Sequence, residues 1–334
     1  MANTAYTGNT TRPNWGGANS DVDQHLEVYQ SEVDTRFQYM ALFRGLSAQR
    51  SVNDRSNTYR IDRLNSSVVK GRTSGVALDP QKVTSDKLVI TVDTTMYIRN
   101  PIDYQDDWTA PDFLTEMGMN NGTAFAEAYD QAHIIQVIKS RDWVAPAHLK
   151  PAFNDGLEVV AEFKTGTLTY AELEANAISL NRAHAAAVDA LIKRKVPLAD
   201  MVTLVYTDQY STLMEHPKLF NKEFNSNDNG SYGDRRVIRM NGIPVIEFLE
   251  FPTAAIANHI LGSAFNVSAE DATVRMVVMS KSKTLVTVEA KPYTTRIWDD
   301  EENFANVLDC YTMYTVGQRR PDTAVSIRLG APTP

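Results

Sequence analysis

Met201-Val202-Thr203-Leu204-Val205-Tyr206, then Thr207–Glu215, then Arg236-Val237-Ile238-Arg239-Met240-Asn241-Gly242-Ile243-Pro244-Val245-Ile246-Glu247 carry the clearest local signals in the chain. The first run reads as a strand and the second as a short helix. A polar loop separates them from the third. There, Asn241-Gly242 lies between two alternating apolar runs. A two-residue turn needs positive φ at both central residues, which Asn and Gly tolerate best, so the third run is a hairpin. Just upstream, Lys195-Val196-Pro197-Leu198-Ala199-Asp200 follows the end of another helix. Between Lys195 and Pro252, then, a helix feeds a strand, a second helix and a hairpin.

The helix that ends there starts at Tyr170 and runs to about Lys195. Thr169 and Glu172 form a capping box at its start. Leu173, Ala177, Leu180, His184, Ala187 and Leu191 form one apolar stripe, and Pro197 stops it. A longer helix is expected from about Thr109 to Ser140, with Thr109 as cap and Pro111 and Asp112 in its first turn. Its buried stripe is Leu114, Met117, Asn121, Ala124, Ala128, Ala132 and Ile135 by spacing. Gly118 and Gly122 each weaken it by roughly 1 kcal/mol relative to Ala. Beyond the central hairpin, Thr284–Ala290 and Phe304–Val316 read as strands. They lead into Arg319-Arg320-Pro321-Asp322-Thr323-Ala324-Val325.

Arg50–Asn100 reads as one long two-stranded hairpin. Tyr59 and Ile61 alternate with polar residues on the way out. Leu88, Ile90, Val92, Met96 and Ile98 take every second place on the return, with Thr94 breaking the series. Such alternation means one covered face and one wet face. The tip, Asn65–Pro80, carries Ser66, Ser67, Gly71, Ser74 and Gly75 and is expected to be mobile. A two-stranded ribbon cannot bury an apolar face within itself, so something outside must cover it. Ahead of it, Leu26, Tyr29, Val33, Phe37, Met40 and Phe43 recur at helical spacing, from a start near Ser20 or Asp21 to Gly45. Met1–Ser20 is rich in Asn, Thr, Gly and Ser and is expected to be disordered in isolation.

The chain of 334 residues is 43% hydrophobic, ample for a buried core. Its net charge of −8 argues against a nucleic-acid reader. The longest basic run, Lys193-Arg194-Lys195, sits at a helix C-terminus, where cations offset the macrodipole. Cys310 is the only cysteine, so no disulfide can close within the chain, and a reducing cytoplasm suits its synthesis. Met1–Thr10 has neither the basic region nor the apolar core of a signal peptide. No apolar run approaches the ~18 residues of a membrane span, and no membrane partner is expected.

Catalytic, cofactor and metal patterns are missing. No glycine-rich phosphate loop or Gly-x-Ser-x-Gly elbow occurs. None of His25, His133, His148, His184, His216 and His259 is paired at zinc-helix spacing. His184 reads as a hydrogen-bonded core or interface residue, and Asp21-Val22-Asp23 as a helix cap. Asp103, Asp106 and Asp107 beside Trp108, and Asp299–Glu302 after Trp298, read as solvated loops. Any role for them would be a salt bridge to a neighbour's Arg50, Arg55, Arg60, Arg63 or Arg72.

The order of elements resembles the major capsid proteins of tailed double-stranded DNA bacteriophages, above all the short-tailed ones. The resemblance rests on Val196-Pro197-Leu198-Ala199-Asp200, on Asp208-Gln209-Tyr210-Ser211-Thr212-Leu213 after the strand, on Gly242-Ile243-Pro244-Val245-Ile246-Glu247, and on Arg320-Pro321 after the last long strand. It spans about Asp21 to Leu329. It implies an α+β fold with an N-terminal arm (1–49) and an extended hairpin loop (50–104). A peripheral domain with a spine helix (105–142 and 281–316) and an axial domain (143–280 and 317–334) complete it. On that pattern Tyr29, Val33 and Phe37 lie on an arm that packs on a neighbour; an ordinary core helix is the alternative, and the adjoining polar tail favours the arm slightly. Leu88, Ile90, Val92, Met96 and Ile98 become contacts with an adjacent subunit, and Gly71 and Gly75 give the tip its freedom.

The implied function is self-assembly, as pentamers and hexamers, into an icosahedral shell enclosing double-stranded DNA without sequence specificity. The implied location is the virion, after synthesis in the host cytoplasm. A portal protein at one vertex and a separate scaffolding protein are implied partners, because only ~50 residues precede the hairpin. A decoration protein is a further candidate. One branch of the family links subunits through Lys–Asn isopeptide bonds. No arrangement around Lys70, Lys82 and Lys87 singles out a pair, so a non-covalent shell is expected. The rival readings are an encapsulin-like nanocompartment shell of the same fold, a soluble α/β enzyme using the carboxylates at Asp103–Asp107, and a trimeric tail or receptor-binding protein.

Overall fold

The computed structural model describes residues 41–52, 56–103, 113–150, 152–216 and 238–331. In chain order the elements are β1 (Ala48–Ser51), β2 (Thr58–Leu64), β3 (Ser85–Thr91), β4 (Met96–Asp103), α1 (Phe113–Lys139), β5 (Leu157–Glu162) and α2 (Tyr170–Lys193). There follow β6 (Met201–Val205), α3 (Thr207–Met214), β7 (Ile238–Met240), β8 (Ile243–Glu247), β9 (Val274–Ser280), β10 (Leu285–Asp300), β11 (Ala305–Gln318) and β12 (Ala324–Gly330). They form a six-stranded sheet (β5-β12-β9-β6-β8-β7), a four-stranded sheet (β1-β10-β11-β4) and a ribbon (β2-β3).

The stretch with the clearest local signals folds as its residues dictate. Asn241 and Gly242 turn at φ 50° and 81°, and the hairpin pairs β7 with β8. All of β6 is buried, as a strand covered on both faces should be. Ala177, Leu180, His184, Ala187 and Leu191 of α2 are buried, while Leu173 is half-buried. The Glu172 carboxylate accepts the Thr169 N–H and hydroxyl, both at 2.9 Å. His184 is spent inside this body. Its Nδ1 accepts from Asn241 Nδ2 at 2.9 Å, and Nε2 meets Thr203 Oγ1 at 2.8 Å. Burial pushes its pKa down to about 4, so it is a neutral core histidine.

Helix α1 lies between the two larger sheets. Its core neighbours include Val277 and Met279 of one and Leu308, Cys310 and Tyr314 of the other. From Ala132 to Ile138 every residue is buried, so the helix has no single stripe there. In its first half Phe125, Ala126 and Tyr129 are buried, whereas Ala124 is exposed and Ala128 half-buried. Of the expected stripe Met117, Asn121, Ala132 and Ile135 are buried, and among the described residues only Ala124 and Ala128 miss, each one residue before a buried neighbour, because alanine spacing alone does not report which face a sheet covers.

The long hairpin divides between two sheets. The ribbon pairs from Thr58↔Thr91 to Leu64↔Ser85. After Asp93–Thr95 the chain crosses over, and β4 pairs with β11 instead. Thr94, which breaks the alternation, marks that crossing. Arg50 lies in β1, parallel to β10. β10 is also longer than its sequence suggests, because register shifts between Glu289, Lys291 and Thr294 absorb Pro292. At its end the Asp300 carboxylate accepts from Glu302 N at 3.2 Å and Asn303 Nδ2 at 2.9 Å. Asp300 therefore organises a turn of its own chain.

Candidate assembly surfaces

The base of the ribbon is covered by its own subunit. Ile90 and Val92 pack with Val286 and Val288, and Met96 joins the main core. Their exposures are 7%, 1% and 6%. Leu88 and Ile98 are half-buried. The cover expected from a neighbour at Ile90, Val92 and Met96 is thus supplied internally. A ribbon does need an outside partner, but that partner is a strand far along the same chain. Gly317 makes the fit possible, since a Cβ there would lie 2.3 Å from Ile90 Cδ1.

Midway along, the ribbon is clasped. Arg63 is 8% exposed. Its Nη2 donates to the Gln318 carbonyl at 2.7 Å and its Nε to that of Arg319 at 3.2 Å. The guanidinium lies 5.5 Å from the Trp143 ring centroid. Burial lowers its pKa, opposed by Asp86 and Asp322. Asn65 Nδ2 donates to the His148 carbonyl at 3.1 Å, and Thr84 Oγ1 donates to the same oxygen. Trp143 meets Phe153 edge-on, with centroids 6.2 Å apart. From the other side, Arg320 stacks over Phe153 at 4.5 Å, donates to the Ala152 carbonyl at 2.8 Å and pairs with the fully buried Asp322 at 3.1 Å. Arg63, expected to reach a neighbour's carboxylate, is spent within its own chain.

One further backbone bond, Asn65 N to the Thr84 carbonyl at 3.0 Å, extends the ladder, and beyond it side chains take over. Val68 N donates to Gln81 Oε1 at 3.0 Å, Lys70 pairs with Asp79, and Val76 N closes a turn onto the Thr73 carbonyl at 3.2 Å. Gly75 sits in that turn at φ 90°, and both it and Gly71 have open space around them. This tied tip presents Val68, Val69, Val76 and Leu78 at 65%, 98%, 59% and 78% exposure. A cluster of large apolar side chains left in water marks a contact surface. The sequence pattern drew attention to the alternating strand and did not single out these four residues, because they lie among serines and glycines.

At the other end, the segment Leu42–Arg44 is pinned to α1. The Asp130 carboxylate accepts Leu42 N at 2.9 Å and Phe43 N at 3.0 Å, and burial pushes its pKa up to about 6. Phe43 is fully buried and stacks on His133 at 5.2 Å. Tyr29, Val33 and Phe37, the Asp21-Val22-Asp23 cap, and Asp106, Asp107 and Trp108 lie outside the described residues. Among the described residues, no three His, Cys, Asp or Glu side chains are placed to hold a metal ion, and no helix is long and apolar enough to cross a membrane. An open groove of about 730 Å³, lined by Lys164, Thr167, Glu172, Gln209 and Arg275, has neither a Cys nor a His among its lining residues.

A two-sheet body thus clasps a ribbon whose tip leaves four large apolar side chains uncovered, alongside scattered ones such as Tyr97, Val144, Leu249 and Phe304 on the body and long strands. Neither a protein-family model nor a curated protein matches the sequence. Among solved structures, the mature capsid of bacteriophage PhiM1 is 43% identical, with 99% of this chain and 100% of that one aligned at a TM-score of 0.78. The capsid of cyanophage P-SCSP1u shares the fold at 16% identity, over 87% and 89% of the two chains, with a TM-score of 0.73. A virus-like particle from Pyrococcus furiosus shares it more loosely, at 10% identity and a TM-score of 0.53 over 91% and 100% of the chains. The chain belongs to the major capsid protein family of tailed bacteriophages. It is a shell-forming protein of the virion, and the nanocompartment reading has less support.

Proposed function

We propose that copies of this chain assemble as pentamers and hexamers into the icosahedral shell of a short-tailed phage, around double-stranded DNA held without sequence specificity. The observation that carries this reading is the uncovered apolar tip on a clasped ribbon, in a chain 43% identical to a phage capsid over its whole length. The six-stranded body is the axial domain (143–280 and 317–334). α1 and the long strands are the peripheral domain (105–142 and 281–316), with 50–104 as the extended loop and 1–49 as the arm. The tip lies on an adjacent copy. The chain carries out no catalysis. It is made in the host cytoplasm, and a scaffolding protein, a portal and a decoration protein are its proposed partners.

Electron microscopy of the full-length chain, expressed with the scaffolding protein, tests this reading. Wild type should close into particles. Val69→Asp and Leu78→Asp should leave soluble subunits, because each puts a charge into an apolar contact. Normal particles from both variants would overturn the tip's role. Native particles devoid of DNA would favour a nanocompartment.

A further inference from the structure

The ribbon is a cantilever. Its last backbone bond between strands joins Asn65 N to the Thr84 carbonyl, just past Leu64↔Ser85, and the apolar tip residues lie beyond. Residues 65–73 reach about 30 Å at ~3.3 Å per residue, so a tilt of about 5° at the ladder's end moves the tip by roughly 2–3 Å. That is the width of a methyl group, enough to unseat a side chain from its socket. Whatever fixes the angle at the ladder's end therefore governs where the tip arrives.

Arg63 is placed to fix it. Two carbonyls, Gln318 and Arg319, hold the guanidinium within its plane, and the Trp143 ring holds it out of plane. Trp143 is itself held by Phe153, which Arg320 grips against the buried Asp322. The ribbon's angle is thus referred to the body at two places, the β11–β12 connection and the loop that carries Trp143 and Phe153. We propose that Arg63 is a positioning residue for shell assembly, setting the angle at which the ribbon presents its tip to the next copy. The proposal rests on the reading that the tip contacts a neighbouring copy. It depends on the planar fork of arginine rather than on charge, since a lysine ammonium is a point charge on a flexible stem and does not fix the geometry between two carbonyls and a ring face.

The test compares Arg63→Lys, Trp143→Leu and Val69→Asp in the full-length chain. Hydrogen exchange is followed below the assembly concentration, and particle yield and diameter are followed above it. Trp143→Leu guards against a misfolded lysine variant, because it leaves Arg63 and its bonds to the Gln318 and Arg319 carbonyls in place. In both clasp variants the amides of β2 and β3 should exchange about tenfold faster, while those of β6 and β9 keep their protection. Closed particles should become scarce or uneven in diameter, and Val69→Asp should lose particles without any change in ribbon exchange. If the clasp variants close at normal yield and diameter while Val69→Asp does not, the proposal falls alone. If Val69→Asp also closes normally, the tip reading falls and the proposal with it. Unchanged ribbon exchange in both clasp variants overturns the proposal whatever the particles do.

Discussion

Ile90 of the ribbon sits directly over Gly317 of β11: a Cβ at 317 would lie 2.3 Å from Ile90 Cδ1 and 2.9 Å from its Cγ1. The missing side chain is the socket that holds the ribbon's base to the body. Gly317→Val should overpack it and cost about 1–3 kcal/mol. Gly317→Ala should cost less, because the δ-methyl of Ile90 can swing aside. Ile90→Asp should be worse than either. It forfeits roughly 1.5–3 kcal/mol of burial and strands a charge in a dry site. Urea unfolding of the free subunit checks all three, and an unshifted midpoint for Ile90→Asp would contradict the internal cover.

The Arg320–Asp322 corner should be sensitive from its acidic side. Asp322 is fully buried and also accepts from Asn154 N at 3.4 Å. Asp322→Ala leaves these donors without their acceptor. The expected loss is about 2 kcal/mol, below the 3–5 of a fully buried pair because Arg320 keeps partial access to water. Asp322→Asn, which still accepts, should lose less in the same unfolding experiment.

Asn241 serves both the turn and the tertiary contact, and the two roles can be separated. Asn241→Gly keeps the positive φ but loses the hydrogen bond to His184, at about 1 kcal/mol. Asn241→Ala loses both and should cost about 1 kcal/mol more. Equal losses in the two variants would mean that only the side-chain contact matters.

Stability should fall on acidification, with opposing contributions. His133 and His184 are neutral in the fold, their pKa values lowered by burial to about 3 and about 4. Below the unfolded value of 6.5 only the unfolded chain takes up these protons. The stability they confer is therefore present above pH 6.5 and lost as pH falls. Asp130 acts the other way. Its carboxyl is raised from 3.8 to about 6, so in that window the folded chain holds the extra proton and gains as pH falls. Each group contributes about 1.4 kcal/mol per pH unit, so between pH 6 and 5 a net loss of about 1.4 per unit is expected. Asp130→Asn should steepen this slope towards twice that value, and His184→Asn should flatten it. Unfolding free energies at pH 5, 5.5 and 6 decide the matter.

Local rules carried the sequence a long way. The Asn241-Gly242 turn, the Thr169–Glu172 cap and the α2 stripe each follow from residues a few positions apart, where sterics and helical periodicity suffice. His184 was legible as a core histidine for the same reason. Where the ribbon's face is covered was not legible. Alternation shows that Ile90 and Val92 are buried, but not whether Val286 and Val288 of the same chain or a second copy buries them. The clasp was equally hidden, because nothing local to Arg63 announces the carbonyls of Gln318 and Arg319 or the ring of Trp143. Nor does a glycine-serine tip announce four uncovered apolar side chains. Local sequence marked α2, β6, the β7–β8 turn and the faces of β3 and β4 that leave water, though not the strands β5, β9 and β12. Only the tertiary structure decided what meets those faces, because burial is favourable against any apolar surface and does not depend on where along the chain that surface lies.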